Sequence, residues 1–62
     1  MEAVALYNYT PANNDELAFR VNDVLKILTM DDMWYRAELN GLVGLVPSNY
    51  IKMRDQTWYK FF

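Results

Sequence analysis

Asn40-Gly41 stands between two apolar-rich segments, Trp34–Leu39 and Leu42–Val46, with nothing else separating them. Both residue types tolerate positive φ, which a two-residue type I′ hairpin demands of its central pair. The dipeptide therefore predicts that the two segments are antiparallel neighbours joined directly. Within Trp34–Leu39 the side chains divide by alternation, with Tyr35, Ala37 and Leu39 on one face and Trp34, Arg36 and Glu38 on the other.

Three more segments read as strands: Ala3–Tyr7, Val24–Met30 and Ile51–Met53. Asp31-Asp32 reads as a second short connection, leading into the hairpin. Pro47 ends the fourth strand, because it has no N–H to give a ladder. Ser48-Asn49-Tyr50 then suits one tight helical turn. Short strands separated by turn signals predict an all-β barrel or sandwich. No segment reads as a helix of useful length.

With 62 residues, one domain is the limit, and its net stability is small. The 53% hydrophobic content is enough for a core and too high for a disordered chain. The absence of cysteine removes disulfides and thiolate zinc sites, and favours an intracellular, cytoplasmic setting. The absence of histidine removes the commonest general base and metal ligand. Neither a metal nor a cofactor is expected. Ser48 has no evident base, so no nucleophile–base pair can be drawn and an enzyme is not expected. Net charge is −2, with basic residues scattered singly, which argues against nucleic acid. No apolar run reaches the ~20 residues of a membrane span, so membrane insertion is not expected. Met1-Glu2-Ala3-Val4 has no signal-peptide pattern.

Asn8 to Asp23 is long for a loop in so small a domain, and such loops are usually functional. Leu17 and Phe19 are placed to pin its base to the core, while Asn13, Asn14, Asp15 and Glu16 form a wet, acidic tip. Tyr7 and Tyr9 alternate and share a face. Trp34 opens a strand after acidic residues, and Tyr50 follows Pro47 in the one-turn segment. Their polar neighbours Asn8, Thr10, Asp32 and Asn49 suit a surface, so these rings are expected to form an exposed aromatic platform.

Ala5-Leu6-Tyr7-Asn8-Tyr9, Asp15-Glu16-Leu17-Ala18-Phe19, Trp34-Tyr35 and Gly44-Leu45-Val46-Pro47-Ser48-Asn49-Tyr50 together resemble a Src-homology-3 (SH3) domain. The opening Met1–Ala5 and the strand Trp34–Leu39 resemble the N-terminal SH3 domain of the growth-factor-receptor-bound adaptors, which run SH3, SH2, SH3. The resemblance implies a five-stranded barrel of two packed antiparallel sheets, over residues 1–54. It implies that 55–62 is linker and the start of a following SH2 domain. Tyr7, Tyr9, Trp34, Pro47 and Tyr50 would form two slots for X-Pro pairs. Asn49 would donate to a ligand carbonyl. Asp15 and Glu16 would flank Trp34 as an acidic pocket for a ligand Arg or Lys. The implied function is non-catalytic binding of proline-rich segments of signalling proteins, of the form PxxPxR, a guanine-nucleotide exchange factor among them. Alternation and the family pattern together place Ala3, Ala5, Leu17, Phe19, Leu25, Ile27, Ala37, Leu39, Val46 and Ile51 in the core.

This chain departs from the family pattern at several points. Asn8 stands where Asp is usual, and Asn22 replaces a glycine, at some cost in left-handed backbone. The acidic connection before Trp34 is short, and Asn13 and Asn14 add no charge. Leu42 and Val43 are apolar where a polar return is expected. An SH3-like barrel that recognises methylated lysine or another cationic tail through an aromatic cage is the alternative reading. Thr57–Phe62 carries four aromatics, so a monomer or a weak dimer is expected, the latter through this tail or through strand exchange at Asn40-Gly41.

Overall fold

The computed structural model describes residues 1–54. The expectations for the aromatic tail fall on 55–62 and lie outside the described residues. The elements run β1 (Glu2–Ala5), β2 (Val24–Asp31), β3 (Trp34–Leu39), β4 (Leu42–Pro47), a 3-10 turn (Ser48–Tyr50) and β5 (Ile51–Met53). Among the described residues the strands pair antiparallel, in the order β4-β3-β2-β1-β5, and an isolated parallel bridge joins Glu16 to Leu45. The hydrogen bonds form one continuous sheet. Val46 of β4 and Ile51 of β5 belong to outer strands of that order, yet both lie in one core cluster. The sheet must therefore curl over itself, and the two layers of the barrel are halves of one ladder.

Two features bend the sheet. The β2–β3 register shifts between Ile27 and Thr29, which leaves Leu28 as the extra residue. Ile27 is buried and Leu28 is exposed on either side of that shift. The hairpin is the other feature. Asn40 has φ +55 and Gly41 φ +83, so both central residues take the left-handed backbone that the type I′ turn requires.

Three strands end differently from the sequence expectation, and β1 also begins one residue earlier, at Glu2. β1 stops at Ala5 rather than Tyr7, because its partner beyond Ile51 is the 3-10 turn: the Leu6 N–H still donates in register to the Tyr50 carbonyl (2.8 Å), and the ladder ends there. β2 extends to Asp31, which pairs with Trp34, so the connection is Asp32-Met33 rather than Asp31-Asp32. Asp32 supplies the positive φ that closes it, +53°. β4 includes Pro47, tolerated at the end of an outer strand where no N–H is required.

The core holds Ala3, Ala5, Leu17, Phe19, Leu25, Ile27, Ala37, Val46 and Ile51, as the alternation predicts, with Leu39 half-buried against it. Ala37 is fully buried, with Ile27 opposite it on one side and Gly44 on the other. No space remains there for a longer side chain. Ala37→Leu is expected to destabilise the domain by about 1–3 kcal/mol through overpacking. Urea denaturation checks this, and a variant as stable as the parent contradicts the placement.

Candidate functional site

The long loop from Asn8 to Asp23 is an organised element. At its stem Tyr9 and Phe19 exchange backbone hydrogen bonds (2.8 and 3.2 Å). Their rings stack at 5.5 Å and 26°. The stem turns back at Asn22, whose φ of +76 is the left-handed conformation expected of a glycine substitute. Val21 N–H donates to Asn8 Oδ1 (2.8 Å) and Arg20 N–H to Asp23 Oδ2 (2.9 Å), so Asn8 serves the loop with its side-chain oxygen. Nearer the tip, Leu17 N–H donates to the Leu45 carbonyl and Leu45 N–H to the Asp15 carbonyl, both at 2.8 Å. The tip is thereby docked along β4, while the Asp15 side chain stays exposed.

These constraints build an aromatic strip. Tyr50 is carried by the 3-10 turn, and the Leu6–Tyr50 hydrogen bond sets Tyr7 beside it. Tyr7 and Tyr50 meet edge to face at 5.3 Å and 77°. Tyr9 and Tyr50 meet at 5.4 Å and 76°. Tyr50 thus stands between two tyrosines, in the geometry that ring quadrupoles favour. Phe19, read from the sequence as a core anchor, also backs Tyr9. Ser48 N–H donates to the Met33 carbonyl (2.9 Å), tying the turn to the β2–β3 connection.

Trp34 and Pro47 are direct register partners and so share a face. Pro47 is buried, Trp34 remains 37% exposed, and Asn49 is exposed at the turn between Pro47 and Tyr50. Asn13, Asp15, Glu16, Trp34 and Leu45 line a shallow depression, which brings the expected acidic loop residues to the indole. Asp31 is opposite Trp34 across the β2–β3 ladder, so a further carboxylate shares its face. In the sequence Asp31 reads only as part of a connection, and its place opposite Trp34 depends on the β2–β3 register.

Glu16 does more than contribute charge. Its Oε1 accepts from the Tyr9 hydroxyl and from Ala12 N–H (3.3 Å), and its Oε2 accepts from Asn13 Nδ2 (2.8 Å). Chiefly the Tyr9 hydrogen bond, then that of Asn13, holds the Glu16 carboxyl below its ordinary value of 4.5. The same bond pushes the Tyr9 phenol from 10.0 up to about 12, helped by partial burial and by the Glu16 charge. A depressed carboxyl contributes stability above its ordinary value and loses it as pH falls through the folded value. A raised phenol contributes below 10.0 and loses it as pH rises through about 12. Chemical denaturation across pH is expected to show the parent losing stability below 4.5 more steeply than Glu16→Gln. Parallel acid limbs would contradict this coupling.

The SH3 domain family model matches residues 4–48. The chain belongs to the SH3 domain family. It is similar to the C-terminal SH3 domain of myosin IB from Entamoeba histolytica, at 49% identity over 82% of this chain and 86% of that one, with a TM-score of 0.81. The same Entamoeba domain bound to the EhFP10(GEF) peptide matches with a TM-score of 0.80. The myosin I SH3 domain of Acanthamoeba bound to Acan125 is 36% identical over 87% of this chain and 93% of that one, with a TM-score of 0.82.

Proposed function

We propose that this domain is a proline-rich peptide-binding module that prefers PxxPxR segments, working in a cytoplasmic signalling adaptor and performing no chemistry on its ligand. The observation that carries this reading is the aromatic strip of Tyr7, Tyr9 and Tyr50, continued at Trp34 and Pro47. Edge-to-face rings leave shallow clefts between them. A polyproline II ligand has three residues per turn and a preformed, low-entropy backbone, so its prolines suit such clefts. Exposed Asn49 at the turn is placed to donate to a solvated ligand carbonyl. Carboxylates beside the Trp34 indole suit a guanidinium, through charge-assisted bonds and cation–π contact. Exposed charges are screened, so this end of the groove sets orientation more than affinity. The peptide-bound Entamoeba relative supports the reading.

The groove is shallow, so affinity on the order of micromolar is expected, near −8 kcal/mol. A peptide array of proline-rich segments with and without flanking arginine tests the proposal, with trimethyl-lysine peptides as controls. Selective capture of the proline-rich set, strengthened by arginine, is the expected result. Capture of the trimethyl-lysine peptides alone would replace it with the aromatic-cage alternative.

A further inference from the structure

The two acidic loop residues beside Trp34 are not equivalent. Among the described residues the Asp15 carboxylate has no hydrogen-bond or ion-pair partner, and its backbone carbonyl is fixed by Leu45. Glu16 is engaged on both oxygens. A carboxylate oxygen offers two lone pairs, and Oε1 of Glu16 already accepts two donors. A fork-to-fork pair with a guanidinium needs a lone pair on each oxygen. Glu16 cannot form that pair without releasing Tyr9 or Ala12. Tyr9, in turn, is the ring that stands between Phe19 and Tyr50.

Resting on the proline-rich reading, we propose that Glu16 is a positioning residue: it holds Tyr9, and with it the aromatic strip, through the phenol hydroxyl, and leaves Asp15 as the loop carboxylate that selects a basic ligand residue. A neighbouring pair of acids thus divides into a brace and a contact. Both tasks follow from the side of the loop each residue occupies. Leu17 is drawn into the core and Asp15 is bonded to β4, so Glu16 between them turns toward the stem.

The test uses the full chain and two proline-rich peptides identical except for a flanking arginine or glutamine. Titration calorimetry gives the affinity for each, and their ratio is the arginine preference. Asp15→Asn is expected to narrow that ratio by about two- to fivefold, the range of an exposed ion pair. Glu16→Met, which removes the acceptor oxygen that glutamine would keep, and Tyr9→Phe are each expected to weaken both peptides by a common factor and leave the ratio unchanged. The double variant is expected to be no weaker than the single ones, because both break one link. Tyr9→Phe keeps the ring and its packing, so it reports on the link even if Glu16→Met folds poorly. Ultraviolet titration supplies an independent reading: one tyrosine ionises near 12 in the parent and returns toward 10.0 in Glu16→Met. The proposal is overturned if Glu16→Met narrows the arginine ratio as Asp15→Asn does while Tyr9→Phe leaves binding of both peptides intact. An unchanged tyrosine titration in Glu16→Met also overturns it. If the parent binds neither peptide, it is the proline-rich reading that fails, and the titration still decides whether Glu16 holds Tyr9.

Discussion

A Trp34→Ala chain is expected to stay folded and to lose most of its affinity for proline-rich peptide. Trp34 is 37% exposed and stands outside the buried cluster, so removing the indole opens no cavity in the core. It does remove the ring that pairs with Pro47 and borders the acidic depression. A central aromatic of this kind is a usual hot spot, worth about 2 kcal/mol or more on truncation to alanine. That is a loss of about thirtyfold or more, which would take a micromolar interaction toward the edge of detection. Calorimetric titration alongside a thermal melt checks both halves of the expectation. Retained binding by a folded Trp34→Ala variant would remove the groove from this face.

Gly44→Ala is expected to give the largest loss of stability for a single methyl group. Gly44 is buried in mid-strand β4, opposite Ala37. A Cβ there would sit 3.1 Å from the Asp15 carbonyl oxygen, 3.1 Å from Leu17 N and 3.2 Å from the Glu16 carbonyl carbon. All three are backbone atoms, so no side chain can swing aside. The loop is held at this position by the Leu17–Leu45 and Leu45–Asp15 hydrogen bonds, and relief would stretch both. Overpacking of this kind costs about 1–3 kcal/mol. A domain this size has roughly 3–9 kcal/mol in total, so the change is a large share. The melting temperature should fall by about 4–8 °C per kcal/mol lost. Binding should weaken as well, because the displaced residues carry Asp15 and Glu16. A melt unchanged from the parent would mean that the loop does not dock on β4 as described.

Much of the barrel is legible in the residues because its rules are local. Asn40-Gly41 specifies a hairpin through backbone sterics alone, and the alternation in β3 then assigns faces without reference to any partner. The one-turn segment at Ser48–Tyr50 follows from Pro47 just as directly. Asn22 is similar: its left-handed backbone is a property of one residue type in one turn. The differences are at strand ends, which depend on where a partner distant in sequence stops being a strand. β1 ends at Ala5 because its in-register partner beyond Ile51 is Tyr50, a residue of the 3-10 turn.

The candidate site divides along the same line. The candidate aromatics and acids can be named from residue types and spacing alone, because these match the SH3 domain family. Their arrangement in space comes from the fold. The packing of β4 against the loop requires a glycine at 44, because two backbones meet there. Register across β2 and β3 brings Asp31 to the face of Trp34, which spacing along the chain cannot show. Glu16 and Asp15 are adjacent and chemically alike, and nothing in the sequence separates them. Their roles diverge because β4 holds Asp15 by its backbone and leaves Glu16 to turn toward Tyr9. Long-range hydrogen bonds and steric contacts depend on which surfaces meet in three dimensions, and chain order alone does not encode them locally.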